Sequence, residues 1–316
     1  MSQASAVVEV QDLVKRYRKA KVNAVDGVSL RVEPGEFFAL LGPNGAGKTT
    51  TISILTTTLA PTSGTVRICG YDLRRDPASV RRNVGIIFQN PSLDANLSGE
   101  ENVRLHAILY GLYAYRPAFR MMPAAYQRQV HELASVLEMH NEMFQPVKKL
   151  SGGMQRKLEI IRGLMHRPKV LFLDEPTRGL DVVSRRSLWA YLREVREKYQ
   201  VTIVLTTHYL EEAEQADRLC ILNHGKVVAM GSPGEVKAHP AEEFLELDAN
   251  DRAKLREELT QLKVHFDEDG AFTVRLDGRS AHDVVKQIDV PLTSLRTRQP
   301  SLEDAYLRIL AEEADE

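Results

Sequence analysis

Cysteine is nearly missing from this chain of 316 residues: only Cys69 and Cys220 occur, far apart. That scarcity points to reduced thiols in a cytosolic setting rather than to a disulfide framework. Long apolar runs are missing as well, and the longest fall well short of the roughly 18 residues that suggest a membrane span. Any membrane role therefore needs another chain to cross the bilayer. The opening residues do not read as a secretory signal, because the apolar stretch from Val7 to Val10 is short and interrupted by Glu9. Net charge is scarce too. A formal balance of −1 leaves no global field to draw the chain to nucleic acid. The local basic run Lys15-Arg16-Tyr17-Arg18-Lys19 reads as a solvated strand end. No histidine or cysteine spacing suits zinc, and His131-Glu132 lacks the second histidine of H-E-x-x-H. No internal repeat is visible.

What is present is ordinary in bulk and specific in detail. A hydrophobic share of 43% and a charged share of 27% suit a soluble globular protein, large enough for one big domain and a small companion. The stretch Gly42-Pro43-Asn44-Gly45-Ala46-Gly47-Lys48-Thr49 follows the continuously apolar run Phe37-Phe38-Ala39-Leu40-Leu41 and precedes a helical pattern from Thr49 to Leu55. It fits G-x-x-x-x-G-K-[ST], the Walker A pattern. Gly45 and Gly47 have no Cβ, so the backbone can curl until several N–H groups point at one anion. The following helix adds its positive end. Lys48 would reach the β- and γ-phosphates, and the Thr49 hydroxyl would ligate Mg²⁺.

Taken in order, residues 6–33 alternate apolar and polar in short runs and read as a small antiparallel sheet that ends at Pro34-Gly35. Thr65-Val66-Arg67-Ile68 is a further strand, and Val84-Gly85-Ile86-Ile87-Phe88 a buried one closed by Gln89. Residues 90–149 turn to helical periodicity, with Tyr110, Tyr113, Tyr115 and Phe119 in the first half. Lys169-Val170-Leu171-Phe172-Leu173 and Val201-Thr202-Ile203-Val204-Leu205 are buried strands, ending in Asp174-Glu175 and near His208. Between them residues 184–199 form an amphipathic helix. Alternating strands and helices predict a mostly parallel sheet with its ligand at the carboxyl strand ends. Pro233-Gly234 and His239-Pro240 mark a boundary, and short strands and helices beyond it predict a small α+β appendage.

The chemistry gathers at the strand ends. Asp174 would hold Mg²⁺ through its water shell, and Glu175 would polarise the attacking water. Gln89 and His208, each after a strand, are candidates for touching metal or water. In Leu150-Ser151-Gly152-Gly153-Met154-Gln155, Ser151 is a good N-cap, yet a capping residue needs no Gly-Gly after it. Paired glycines at a helix start offer backbone N–H groups to a second anion. One Walker loop and two anion-binding helix starts suggest a site shared between two molecules.

Together these stretches, with Leu171-Phe172-Leu173-Asp174-Glu175-Pro176-Thr177, Gly179-Leu180-Asp181 and His208, resemble the complete motif set of an ABC ATPase, in the family's order, over residues from about 6 to 235. The resemblance implies an α/β fold: a P-loop NTPase core with an antiparallel β subdomain and a helical subdomain at about 90–165, together spanning 6–238. A C-terminal α+β domain follows at 241–312. It implies ATP and Mg²⁺ as cofactors and Glu175, His208 and Gln89 as catalytic residues. Metal ligands would be Thr49, Gln89 and Asp174. Nucleotide contacts would come from Tyr17 (stacked on adenine), Gly42, Pro43, Asn44, Gly45, Ala46, Gly47, Lys48, Thr49, Thr50, Ser151, Gly152, Gly153, Gln155 and Asp181. Pro91-Ser92-Leu93-Asp94 and Pro300-Ser301-Leu302-Glu303-Asp304-Ala305-Tyr306-Leu307 are similar to daunorubicin-resistance-type exporter ATPases. The stretch from Tyr113 to Tyr126 departs from that group in being longer and more aromatic. The expected partners are a second copy or a paralogous ATPase subunit and integral membrane permease subunits, at the cytoplasmic face of the membrane, with no nucleic acid. The alternatives are a soluble ABC ATPase acting on the ribosome or nucleic acid, and a P-loop kinase.

Overall fold

The computed structural model describes residues 6–238, 244–276 and 278–314; the expected boundary at His239-Pro240 lies outside them. The chain divides into two compact units, residues 1–230 and 231–316. The division falls earlier than the expected 238–241. The short helix Pro233–Lys237 packs on the last helix, Leu302–Ala314, and so belongs with the second unit.

The first unit holds two sheets. The antiparallel one runs Val25–Val32, Val8–Lys15, Ser63–Ile68, Tyr71–Asp72. The expected strand at Thr65 begins two residues earlier and pairs with Val8–Lys15 in this small sheet. The second has six strands, in the order Lys226–Gly231, Arg218–Asn223, Phe37–Leu41, Thr202–Thr207, Val170–Asp174, Val84–Ile87. Parallel pairing joins the last five of these strands. Phe37–Leu41 and Val170–Asp174 are buried at every position, which is why their sequences show no alternation.

Parallel pairing in register aligns the carboxyl ends. Leu41 stands beside Thr207, Asp174 beside Thr206, and Ile87 beside Leu173. One core cluster gathers residues of both sheets, with Val8, Val10 and Leu30 in the same cluster as Leu40, Ile52, Leu55 and Phe172. Helices Gly99–Leu109, Ala124–Val136 and Gly152–Leu164 make up the helical part. Its aromatic stretch is anchored rather than loose. Tyr126 is fully buried, donates to Glu100 at 3.0 Å and meets the Tyr113 and Phe119 rings edge-on.

In the second unit, Phe266–Asp269, Ala271–Arg275, Phe244–Ala249 and Leu292–Arg298 form an antiparallel sheet in that order. Leu245, Leu247, Leu255, Leu259, Phe272 and Val274 make its core. Sequence reasoning missed the strand Phe266–Asp269, because its acidic composition gives no apolar alternation. It forms through a tight return at Gly270, whose φ of 79° suits glycine.

Candidate functional site

Most helices here begin with a side chain that satisfies their first N–H groups: Asp76, Ser98, Ser151 and Asp181 each cap one. Helix Lys48–Leu55 differs. Its N-cap is Gly47, with φ 102° and no capping side chain, so its first amides stay open to an anion. A Cβ on Gly47 would stand 2.5 Å from the Ala24 carbonyl, and one on Gly42 would stand 2.2 Å from that of Leu222. Glycine at both positions follows from close backbone approach. The loop rims a cavity of about 440 Å³, lined by Asn44, Gly45, Ala46, Gly47, Lys48, Thr49 and Thr50. Gln89, Glu175, Arg178, His208 and Tyr209 line it from the other strand ends.

The charged groups are held in place. Lys48 Nζ donates to the carbonyls of Gly42 at 2.7 Å and Pro43 at 3.0 Å. Burial pushes its pKa down, and Glu175 and Asp174 partly offset this. Thr49 Oγ1 donates to Asp174 at 3.3 Å, and Thr206 Oγ1 donates to the same carboxyl at 2.5 Å. Burial raises the Asp174 pKa against these two hydrogen bonds. A hydroxyl and a carboxylate side by side, next to an anion cradle, suit a hard cation such as Mg²⁺. Glu175 is only 7% exposed and sits at φ 44°, a left-handed conformation that is strained for a side chain of this size. Its Oε2 accepts from Gln89 Nε2 at 2.8 Å, and its Oε1 lies 3.2 Å from His208 Nδ1. Three residues far apart in sequence thus meet at one carboxylate.

Not every expected residue joins them. Pro43 and Gly42 line the turn through their carbonyls. Tyr17 is 46% exposed, and its hydroxyl lies 3.3 Å from Thr50 Oγ1, beside the loop's helix. Ser151, Gly152, Gly153, Gln155 and Asp181 do not line the cavity. Ser151 caps its own helix through the Met154 N–H at 3.3 Å, and Gln155 donates to the Leu150 carbonyl at 3.1 Å. Asp181 accepts from the Val183 and Ser184 amides and so starts its helix at Val182, ahead of the expected Ser184.

Two features escaped sequence reasoning. Thr206, which also accepts from the Glu175 N–H at 3.0 Å, lay past the expected strand end at Leu205, although paired threonines before His208 were a signal. The second is a buried ionic link. Arg156 donates to the carbonyls of Phe88 and Gln89 at 2.7 and 3.1 Å and to Glu159 at 2.8 Å. Glu159 in turn accepts from the Ser92 N–H at 3.0 Å. The helix opened by Ser151 is thereby fastened to the segment that carries Gln89.

An open glycine-rich helix start facing a strand-end Asp-Glu pair defines a P-loop nucleotide-hydrolysing core. The protein family described as ABC transporter matches residues 25–178. The chain is 35% identical over 327 residues to the daunorubicin/doxorubicin resistance ATP-binding protein DrrA of Streptomyces peucetius, covering 100% of this chain and 96% of that protein. It is 36% identical over 312 residues to the Nod factor export ATP-binding protein I of Paraburkholderia xenovorans (strain LB400), covering 98% of each. A solved ATP-binding subunit of an ABC transporter matches with a TM-score of 0.63 at 32% identity, over 74% of this chain and 92% of that one. A dimeric post-hydrolysis ATP-binding cassette bound to ADP and Pi matches with a TM-score of 0.62 at 28% identity, over 71% and 98%. The chain belongs to the ABC transporter family, as an ATP-binding and ATP-hydrolysing subunit of the exporter kind.

Proposed function

We propose that two ATP·Mg²⁺ are held between two such subunits, a second copy or a paralogue, each lending its Walker loop to one nucleotide and its Ser151 helix start to the other. Separate membrane-spanning subunits would be driven by closure and reopening of that pair, with the ATPase at the cytoplasmic membrane face and a drug-, lipid- or polysaccharide-like cargo. The carrying observation is that Gln89, Glu175 and His208 stand over the Walker loop while Ser151, Gly152, Gly153 and Asp181 stand outside that cavity. Gly152 and Gly153 keep that second helix start free of side chains.

In each half, the loop amides and Lys48 would bind the phosphates. Thr49 and Asp174 would hold Mg²⁺, and the metal would supply charge neutralisation at the phosphates. Glu175 would accept the proton of the attacking water, oriented by Gln89 and His208. Tyr17 would stack on adenine. The likeness to exporter subunits runs through the C-terminal unit, which favours export over action on the ribosome. The test mixes Ser151→Arg with Lys48→Ala subunits. Each alone should fail to hydrolyse ATP, and mixed dimers should regain one working site built from the two intact halves. Mixed dimers that form and stay inactive would exclude sharing.

A further inference from the structure

A carboxylate outside the cavity joins the two chain segments that bring the hydrolytic groups together. Glu212 lies in the short helix Leu210–Ala213 and is 1% exposed. Thr177 Oγ1 donates to its Oε1 at 2.5 Å, and Thr207 Oγ1 donates to its Oε2 at 2.6 Å. Thr207 Oγ1 also accepts from the Tyr209 N–H at 2.9 Å. Thr177 follows Glu175 by two residues in the same turn, closed by the Arg178 N–H on the Glu175 carbonyl at 3.1 Å. Thr207 directly precedes His208. One side chain therefore spans from the turn of Glu175 to the strand end of His208. The guanidinium of Arg185 lies over the Tyr209 ring at 4.5 Å, with its Nε 3.9 Å from Glu212.

Stability alone does not account for a carboxylate here. Taking it out of water is costly, and an apolar side chain of similar size would avoid that cost. What an apolar side chain lacks is two acceptor oxygens that hold two threonines at fixed separation. We propose that Glu212 is a positioning residue for ATP hydrolysis: it sets the approach of His208 to Glu175 without touching nucleotide itself. The inference rests on the proposal that Glu175 is the base.

A misplacement of about 1 Å at a reacting group can cost on the order of 10²-fold in rate. Glu212→Ala in the full chain should lower kcat by roughly 10- to 100-fold, with KM for ATP changed by less than about twofold. Glu212→Gln should recover most of the loss, since its amide keeps one acceptor and a threonine hydroxyl can turn to accept from its NH₂. Should Glu212→Ala not fold, Thr207→Val decides by the same split between kcat and KM. A folded Glu212→Ala or Thr207→Val with lowered Tm and unchanged kcat overturns the proposal. Glu175→Gln is measured in parallel. Wild-type turnover there would refute the base assignment, whereas a slow Glu175→Gln beside a fast Glu212→Ala refutes positioning alone.

Discussion

The Thr206 hydroxyl donates to the Asp174 carboxyl at 2.5 Å, and the same oxygen accepts from the Glu175 N–H at 3.0 Å. The strand that carries Thr206 lies between the strand that feeds the phosphate loop and the strand that ends in Asp174. The strand that ends in Asp174 and the strand that feeds the phosphate loop are thus not neighbours. Thr206, on the strand between them, holds the Asp174-Glu175 end through one hydroxyl, and Thr49 links the loop's helix to the same Asp174 at 3.3 Å.

Thr206→Val keeps the shape and removes that oxygen. It leaves the buried Glu175 N–H unpaired and takes one of two donors from Asp174, so it should cost about 1–3 kcal/mol of stability. Chemical denaturation measures the loss, and ATP hydrolysis should fall with it. A fully stable variant would show that water replaces the hydroxyl.

Lys48→Ala removes the ammonium that the loop carbonyls aim into the cavity. ATP binding should weaken strongly and hydrolysis should vanish, because the positive charge that would face the β- and γ-phosphates is lost. Fluorescent-nucleotide titration and phosphate release check the two effects. Normal turnover in the purified variant would refute the site.

Glu175→Gln retains the shape and the contacts to Gln89 and His208 but cannot take a proton. Turnover should drop by roughly 10²–10⁴-fold while ATP still binds. Dimer should then accumulate on size exclusion with ATP. A monomeric, fully active variant would place the base elsewhere.

Sensitivity to acid follows from a half-buried imidazole. The His106 ring lies tilted against Tyr110 at 4.4 Å, near His166, and its Nε2 has no hydrogen-bond partner among the described residues. Burial, then Arg162 and His166, lower its pKa to about 3. The unfolded chain takes up the proton near pH 6.5, so this group removes stability as pH falls from about 6.5 towards 3, by about 2 kcal/mol at pH 5. His106→Phe should flatten that loss in pH-dependent unfolding. An unchanged pH slope would assign the loss to other groups.

The residues that line the cavity all belong to the first unit. Ser301 caps the last helix through the Asp304 N–H at 3.1 Å, and Asp304 pairs with Arg298 at 2.6 Å. Leu302 is buried, and Leu307 is exposed on the same helix. A chain ending at Met230 should therefore still bind ATP while losing co-purification with its membrane partner or forming a weaker dimer. A truncated chain that assembles and exports normally would overturn this.

The sequence determined the local chemistry. The glycines of the phosphate loop, the N-cap Ser151, the buried strands and the Asp174-Glu175 end were legible because each depends on neighbours within a few residues. Even the helical character of 90–149 came from local periodicity. Tertiary structure decided what no short window holds. Strand order placed Thr202–Thr207 between the two acidic and phosphate-binding ends, and this brought Thr206 to Asp174 and His208 to Glu175. Gln89, 86 residues from Glu175, became its hydrogen-bond donor the same way. Such contacts depend on which strands pair in register across the sheet, a long-range choice made by the packing of whole faces, and no residue pattern along the chain encodes it by spacing alone.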